Sequence, residues 1–326
     1  MSSPTNATAH AMRVFPVTLD APGSAGNPTT VFLNAGRLTS VEMQQLAQAC
    51  KHECGFVVAG PVLAGNADPP RYNVSIKFWV PGHEMEMCGH ATIGALWLMD
   101  RLGMFANAPN VSVSTKAGTY EALLLPEIDK GSDGSMVRKH ICISQPRGTA
   151  KFLSQDACQL IAEALDISTD KMADLEGVQN AITSRTKTLV PLKDVETLNS
   201  LQPSQDSVRH VCETIGSTGL YPYAMVGDTT FSARQFPKSS GYLEDPATGI
   251  AATALVCGLL RREVIPIGTT EPIIVMQGWA MGCPSEIRVK LRRASSGDVV
   301  GYWLTGNVVD MQVDEPVLSM LNRITR

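Results

Sequence analysis

The sequence predicts an α+β protein of two similar halves, each a strand-rich layer wrapped around one buried helix. Three observations carry that expectation. Two helical stretches, one opening near Gly89 and one near Ala247, are apolar nearly all round. A helix without a polar face has to be buried on every side. The two lie about half the chain apart, and each opens on a turn rich in Gly and Thr, "CGHATIG" and "DPATGIA". Around each runs the same order of strands, a short helix, more strands, the apolar helix and closing strands, the mark of an internal duplication.

Taken in order, "MSSPTNATAHAM" has neither a charged nor an apolar targeting pattern and reads as a disordered leader. "MRVFPVTLDAPGSAGNPTTVFLNAG" places two β-branched stretches around a Pro, Gly and Asn run, the pattern of strand, loop and strand. "TSVEMQQLAQAC" follows as a helix, with Thr39 or Ser40 as N-cap and Val41, Leu46 and Ala49 as its apolar stripe. "GFVVAGPVL" and "YNVSIKFWV" read as strands, with a turn at Gly82 and His83. The first apolar helix, about 89–102, then runs to a glycine stop at Gly103. "NVSVSTKAGTYEALLL" returns to strand.

Polar and glycine content rises at "EIDKGSDGSMVRK", the best candidate for a domain junction. It divides the chain into a lobe of 12–133, with the segment 314–326 as a candidate to complete it, and a lobe of 134–313. Beyond it, "SQDACQLIAEALDI" is a capped amphipathic helix, "SRTKTLVPL" a strand, "DVETLNSL" a short helix and "LYPYAMVG" a strand. The second apolar helix, about 247–262, follows a strand and a loop. "EIRVKLRR" and "DVVGYWLTGNVVDMQV" close the chain as strands, the latter a candidate hairpin about Thr305 and Gly306.

With 326 residues, of which 44% are hydrophobic and 18% charged, the chain can bury two cores. A net charge of −4 gives no basic footprint, so nucleic acid is not an expected partner. The longest apolar run, "GIAATALVCGLL", has 12 residues, too few to span a bilayer, so no membrane is expected and the location is read as cytoplasmic. Eight cysteines in such a chain are expected to be reduced thiols. "CKHEC" gathers Cys, His and Glu but has no second ligand pair at a finger-like spacing, so no metal site is expected.

Function is expected at the helix mouths. A buried helix still carries first-turn N–H groups that need partners, and two such mouths facing a shared cleft would seat a substrate carboxylate. Gly89 and Gly249 allow close approach to the backbone. Cys88 and His90 open the first helix, and Glu244 and Asp245 precede the second. Proton-transfer groups on two sides of a carboxylate-bearing carbon are what an epimerase or isomerase needs.

"GNPTTVFL", "HECGFVV", "MCGHATIGALW", "YLEDPATGIAATAL" and "QGWAMGCPSEIRV" stand in the order and spacing of the phenazine-biosynthesis PhzF-type isomerases, and the chain resembles that family over Met12–Val313. The resemblance implies a diaminopimelate epimerase-like fold of two pseudo-symmetric lobes, each a curved, mostly antiparallel, barrel-like sheet around a central helix. It implies a cofactor-free homodimer with its site between the lobes, acting on a small carboxylate-bearing substrate in specialised metabolism. Glu53 would be the base that takes a proton from carbon and returns it elsewhere, while His90 and Asp245 would orient the substrate and steady charge. Substrate binding would fall to Asn27, Cys88, Gly89, Ala91, Thr248, Gly249 and Ile250. Three positions depart from the family pattern: Ile250 for a serine, Cys283 for an arginine and Cys54 for a threonine. Two of these changes make the site less polar, which points to a more apolar substrate than that of the type enzyme. The alternative is a racemase, epimerase or dehydratase of proline-racemase type using Cys88. Its second cysteine would align with Pro246, which cannot carry a proton. A catalytically idle binding protein would be expected to lose Glu53, His90 and Asp245 first, and all three are present.

Overall fold

Helix Gly89–Arg101 buries His90 to Leu96, Leu98 and Met99, and helix Gly249–Arg261 buries Gly249 and Ala251 to Leu259, so both are enclosed as their composition requires. The computed structural model describes residues 6–18, 24–65, 70–105, 109–126 and 139–325. Contacts divide the chain into two units. One comprises Met1–Leu19, Pro28–Ile143 and Thr305–Arg326; the other comprises Asp20–Asn27 and Ser144–Leu304. The expected junction at "EIDKGSDGSMVRK" lies, except for Lys139, outside the described residues.

In the first unit, strand Asn27–Leu33 runs parallel to Cys54–Leu63, with Thr30 opposite Cys54. Cys54–Leu63 pairs antiparallel with Arg71–Trp79, which runs parallel to Asn110–Thr115. Gly118–Pro126 and the strand beginning at Lys139 complete the antiparallel series. Strand Thr8–Val14 corrects the expectation of a disordered leader. It pairs antiparallel with Val308–Met311, Met12 opposite Asp310 and Val14 opposite Val308. Met12 and Val14 alternate into the core, a period-2 pattern whose partner lies at the far end of the chain. Val308–Met311 thus belongs to this unit, while Val299–Leu304 belongs to the other, so the region read as a hairpin is shared between the two.

Helix Ser40–Cys50 begins with a full capping box, Thr39 and Glu42 each bonding the other's backbone N–H, a device worth about 1 kcal/mol. Its buried stripe is Met43, Leu46, Ala47 and Cys50, and Val41 is exposed. The stripe keeps Leu46 but takes Met43 in place of Val41, on the side where helix Glu315–Thr325 packs and adds Val317 and Leu321 to a cluster with Phe32, Phe56 and Trp79.

In the second unit, Thr149–Phe152, Gln179–Ile182 and Thr186–Pro191 form an antiparallel set. Thr186–Pro191 runs parallel to Gly219–Gly227, which pairs antiparallel with Thr230–Ala233. Thr230–Ala233 runs parallel to Ile273–Gln277, and Ser285–Arg293 closes the set antiparallel to it. Helix Gly249–Arg261 lies against four of these strands. Helices Gln155–Ala164, Val195–Ser200 and Gln205–Thr214 cover a separate cluster that includes Ile161, Leu198, Val208 and Cys212. Helix Gln205–Thr214 was not foreseen, since only Val208, Val211 and Cys212 form its buried side.

Candidate active site

The first unit assembles its site from two adjoining elements. Cys88 is the N-cap of helix Gly89–Arg101 and makes no side-chain cap, so first-turn N–H groups keep their need for partners. Strand Cys54–Leu63 meets this mouth at Gly55, where an added Cβ would touch the Cβ and carbonyl of Ala91 at 3.6 Å. That contact brings Glu53, one residue before the strand, to the helix start. The Glu53 carbonyl accepts a hydrogen bond of 2.9 Å from Thr29 Oγ1, which fixes its backbone.

His90 is buried, and its ring donates a hydrogen bond to the Pro28 carbonyl. Burial pushes its pKa down, and the Glu53 carboxylate and the Pro28 bond pull it back up. The Cys88 thiol lies 3.4 Å from His90 Nδ1. Of the residues named from sequence, Glu53, Cys88, Gly89, His90 and Ala91 therefore share one place.

The second unit holds Asp245 from several directions. Asn27 Nδ2 donates to its Oδ1 at 3.0 Å and to the Ala247 carbonyl at 2.8 Å, and the Thr248 hydroxyl donates to its Oδ2. Gln277 accepts from Thr248 N–H at 3.3 Å, donates to the Asp245 carbonyl at 2.6 Å, and accepts from the Tyr221 hydroxyl at 2.9 Å. Asn27, Asp245, Thr248 and Gly249 are thus one hydrogen-bonded turn with the second apolar helix behind it, and Ile250 continues that helix. An added Cβ on Gly249 would lie 2.5 Å from Leu304 Cδ2, so packing accounts for the missing side chain and the backbone is what this residue can offer a ligand.

One sequence reading needs correction. Glu244 was paired with Asp245 as a proton-transfer group, but both its carboxylate oxygens bind Arg234, at 2.9 and 2.7 Å. Cys54, noted from sequence as standing where the family has a threonine, is fully buried in a cluster with Phe32, Phe56 and Trp79. Arg234, Gln277, Tyr221 and Lys187 were missed. Lys187 is buried in the second unit, and burial pushes its pKa down to about 8 against the pull of Asp245. Gln277 opens the segment "QGWAMGCPS", which sequence reading marked without singling out that residue.

None of the eight cysteines forms a disulfide. Cys50, His52 and Cys54 place their donor atoms within 4.8 Å of one another, so "CKHEC" gathers two thiols and an imidazole but not Glu53. Burial pushes His52 down to about 4, against the raising effect of Glu53. An imidazole depressed on folding binds fewer protons than in the unfolded chain between pH 4 and 6.5. Its contribution is therefore complete above about pH 6.5 and is lost as pH falls toward 4, up to about 3 kcal/mol. Urea midpoints of chelator-treated, metal-free protein from pH 7 to 4 are expected to fall less steeply in His52→Gln than in the parent, and parallel curves would refute this assignment.

Among the described residues, no helix is long and apolar enough to cross a membrane. A family model described as phenazine biosynthesis-like protein matches residues 20–311. An uncharacterized isomerase of Deinococcus radiodurans is 29% identical over 268 residues, covering 82% of each chain. A trans-2,3-dihydro-3-hydroxyanthranilate isomerase of Pseudomonas aeruginosa is 28% identical, covering 84% of this chain and 87% of its own. The crystal structure of a PhzF-family phenazine biosynthesis protein from Bacillus anthracis superposes with a TM-score of 0.75 at 19% identity, over 94% of this chain and 98% of its own. The α+β fold is the one that this structure has.

Proposed function

This chain belongs to the phenazine biosynthesis-like family and is an isomerase of PhzF type, and from that premise we propose that it moves a proton on a small carboxylate-bearing substrate of specialised metabolism, without a cofactor. The observation that supports this most is local to the first unit. A buried histidine, anchored by the Pro28 carbonyl, opens an apolar helix, with the Glu53 carboxylate as its neighbouring charge. In this reading Glu53 takes the proton from carbon and returns it at another position. His90 orients the substrate. The N–H groups at Gly89 serve its carboxylate, as an uncapped helix start does for anions. Asp245, its two oxygens fixed by Asn27 and Thr248, steadies charge as it shifts. The test is deuterium incorporation followed by NMR in deuterated water. It uses trans-2,3-dihydro-3-hydroxyanthranilate and a panel of more apolar carboxylates. Exchange on at least one is expected, and no exchange on any would leave a binding protein as the better reading.

The Cys88 thiol beside His90 favours a second reading, in which the thiol carries the proton. It lacks a counterpart, because Pro246 stands at the corresponding turn. Cys88→Ala is expected to keep kcat/KM within about 10-fold of the parent, because the proposed carrier is untouched. A fall of about 10³-fold or more, in the range seen when a proton-transfer group is removed, would favour the thiol route.

A further inference from the structure

Cys50 closes helix Ser40–Cys50, and Lys51 then takes a left-handed conformation with φ of 61°. That turn reverses the chain within three residues, so strand Cys54–Leu63 starts beside the helix it has just left. Cys50, His52 and Cys54 consequently converge, all their donor atoms within 4.8 Å. No other group of three His, Cys, Asp or Glu side chains does so among the described residues. Both thiols are buried, Cys50 at 6% and Cys54 at 0% exposure, in a cluster otherwise made of apolar side chains. Thr30, opposite Cys54 in the parallel strand pair, has its hydroxyl 3.0 Å from His52 Nε2 and hydrogen-bonded to Cys50.

Small cysteines filling a core would account for two thiols there. They would not account for an imidazole brought to both, in a turn that needs a left-handed lysine. Two sulfurs and one imidazole nitrogen are a donor set suited to a thiophilic d10 ion, and zinc takes such ligands tetrahedrally.

We propose that Cys50, His52 and Cys54 bind one Zn²⁺, with the fourth position beside the Thr30 hydroxyl. Both thiols ligate as thiolates, so each ion taken up sends two protons to solvent and no oxidant is needed. His52 and Cys54 flank Glu53 in sequence, so the ion fixes the backbone on both sides of that residue. The site is independent of any catalytic role for Glu53, because binding is read directly.

The full chain, stripped with a chelator and kept reduced, is titrated with ZnCl₂ in competition with a chromophoric chelator. One equivalent is expected to bind, with two protons released in weak buffer. Cys50→Ser and His52→Gln are each expected to weaken binding by at least about 100-fold. Cys158→Ser, which removes a buried thiol elsewhere, should bind as the parent does. Absence of stoichiometric binding by the parent, or binding unchanged in both ligand variants, overturns the site. Should Cys50→Ser fail to fold by circular dichroism, His52→Gln and Co²⁺ substitution of the parent decide the matter. A cobalt spectrum without thiolate charge-transfer bands would overturn it.

Discussion

Glu53→Gln is expected to lower kcat/KM by about 10²–10⁴-fold on any substrate that the parent isomerises, the range for loss of a positioned acid–base group. Gln keeps the shape of the side chain and can still donate or accept hydrogen bonds, but it cannot take a proton from carbon. The fold should hold, because Glu53 is only half buried and its structural anchor is its backbone carbonyl on Thr29. Deuterium exchange should fall together with turnover, since the same group removes and returns the proton. His90→Asn provides the contrast. A residue that orients the substrate should raise KM and lower kcat, with exchange slowed but still measurable. Equal exchange rates in Glu53→Gln and the parent would sink the glutamate mechanism, wherever the substrate binds.

Both central helices were legible in the sequence because a run with no polar face has one physical solution. The capping residues Thr39 and Ser154 were legible for a related reason, since each satisfies an N–H within its own turn. What escaped depended on partners distant in the chain. Met43 replaced Val41 in the buried stripe because the last helix covers that side of Ser40–Cys50. Thr8–Ala11, the first half of strand Thr8–Val14, reads as polar leader until its partner strand, 300 residues away in round terms, is supplied. "CKHEC" looks like an incomplete motif, and only the left-handed turn at Lys51 brings its donors together. At the site, Glu53, His90 and Asp245 stand in motifs, and so do Asn27 in "GNPTTVFL" and Gln277 in "QGWAMGCPSEIRV". What the motifs do not show is that Gln277 and Asn27 reach Asp245, from 32 and 218 residues away, because those hydrogen bonds exist only once the chain has folded.

Arg234 shows how much such a distant group can carry. Its side chain and that of Glu244 are each only 9% exposed, and the two meet through paired N–H···O bonds. The remaining nitrogen, Nη1, donates to the carbonyls of Leu198, Asn199 and Leu201 at 3.0, 3.2 and 2.8 Å. Those carbonyls end helix Val195–Ser200, where backbone acceptors lack partners within the helix. One guanidinium therefore neutralises the residue next to Asp245 and closes a helix end. Its face also rests on Phe236, 4.9 Å from the ring centre. Arg234→Met, which keeps the apolar stem, should destabilise the protein by about 3–5 kcal/mol, because it leaves a buried carboxylate uncompensated. Arg234→Lys should recover only part of this, since an ammonium cannot reproduce the fork that binds both oxygens of Glu244. Adding Glu244→Gln to Arg234→Met should restore stability relative to the single variant, because the stranded charge is gone while the three carbonyls still lack their donor. Urea midpoints at constant m measure all three. An Arg234→Met variant within about 1 kcal/mol of the parent would place this pair among contacts that solvent or neighbours can replace. The alignment of Asp245 would then have to rest on Asn27, Thr248 and Gln277 alone.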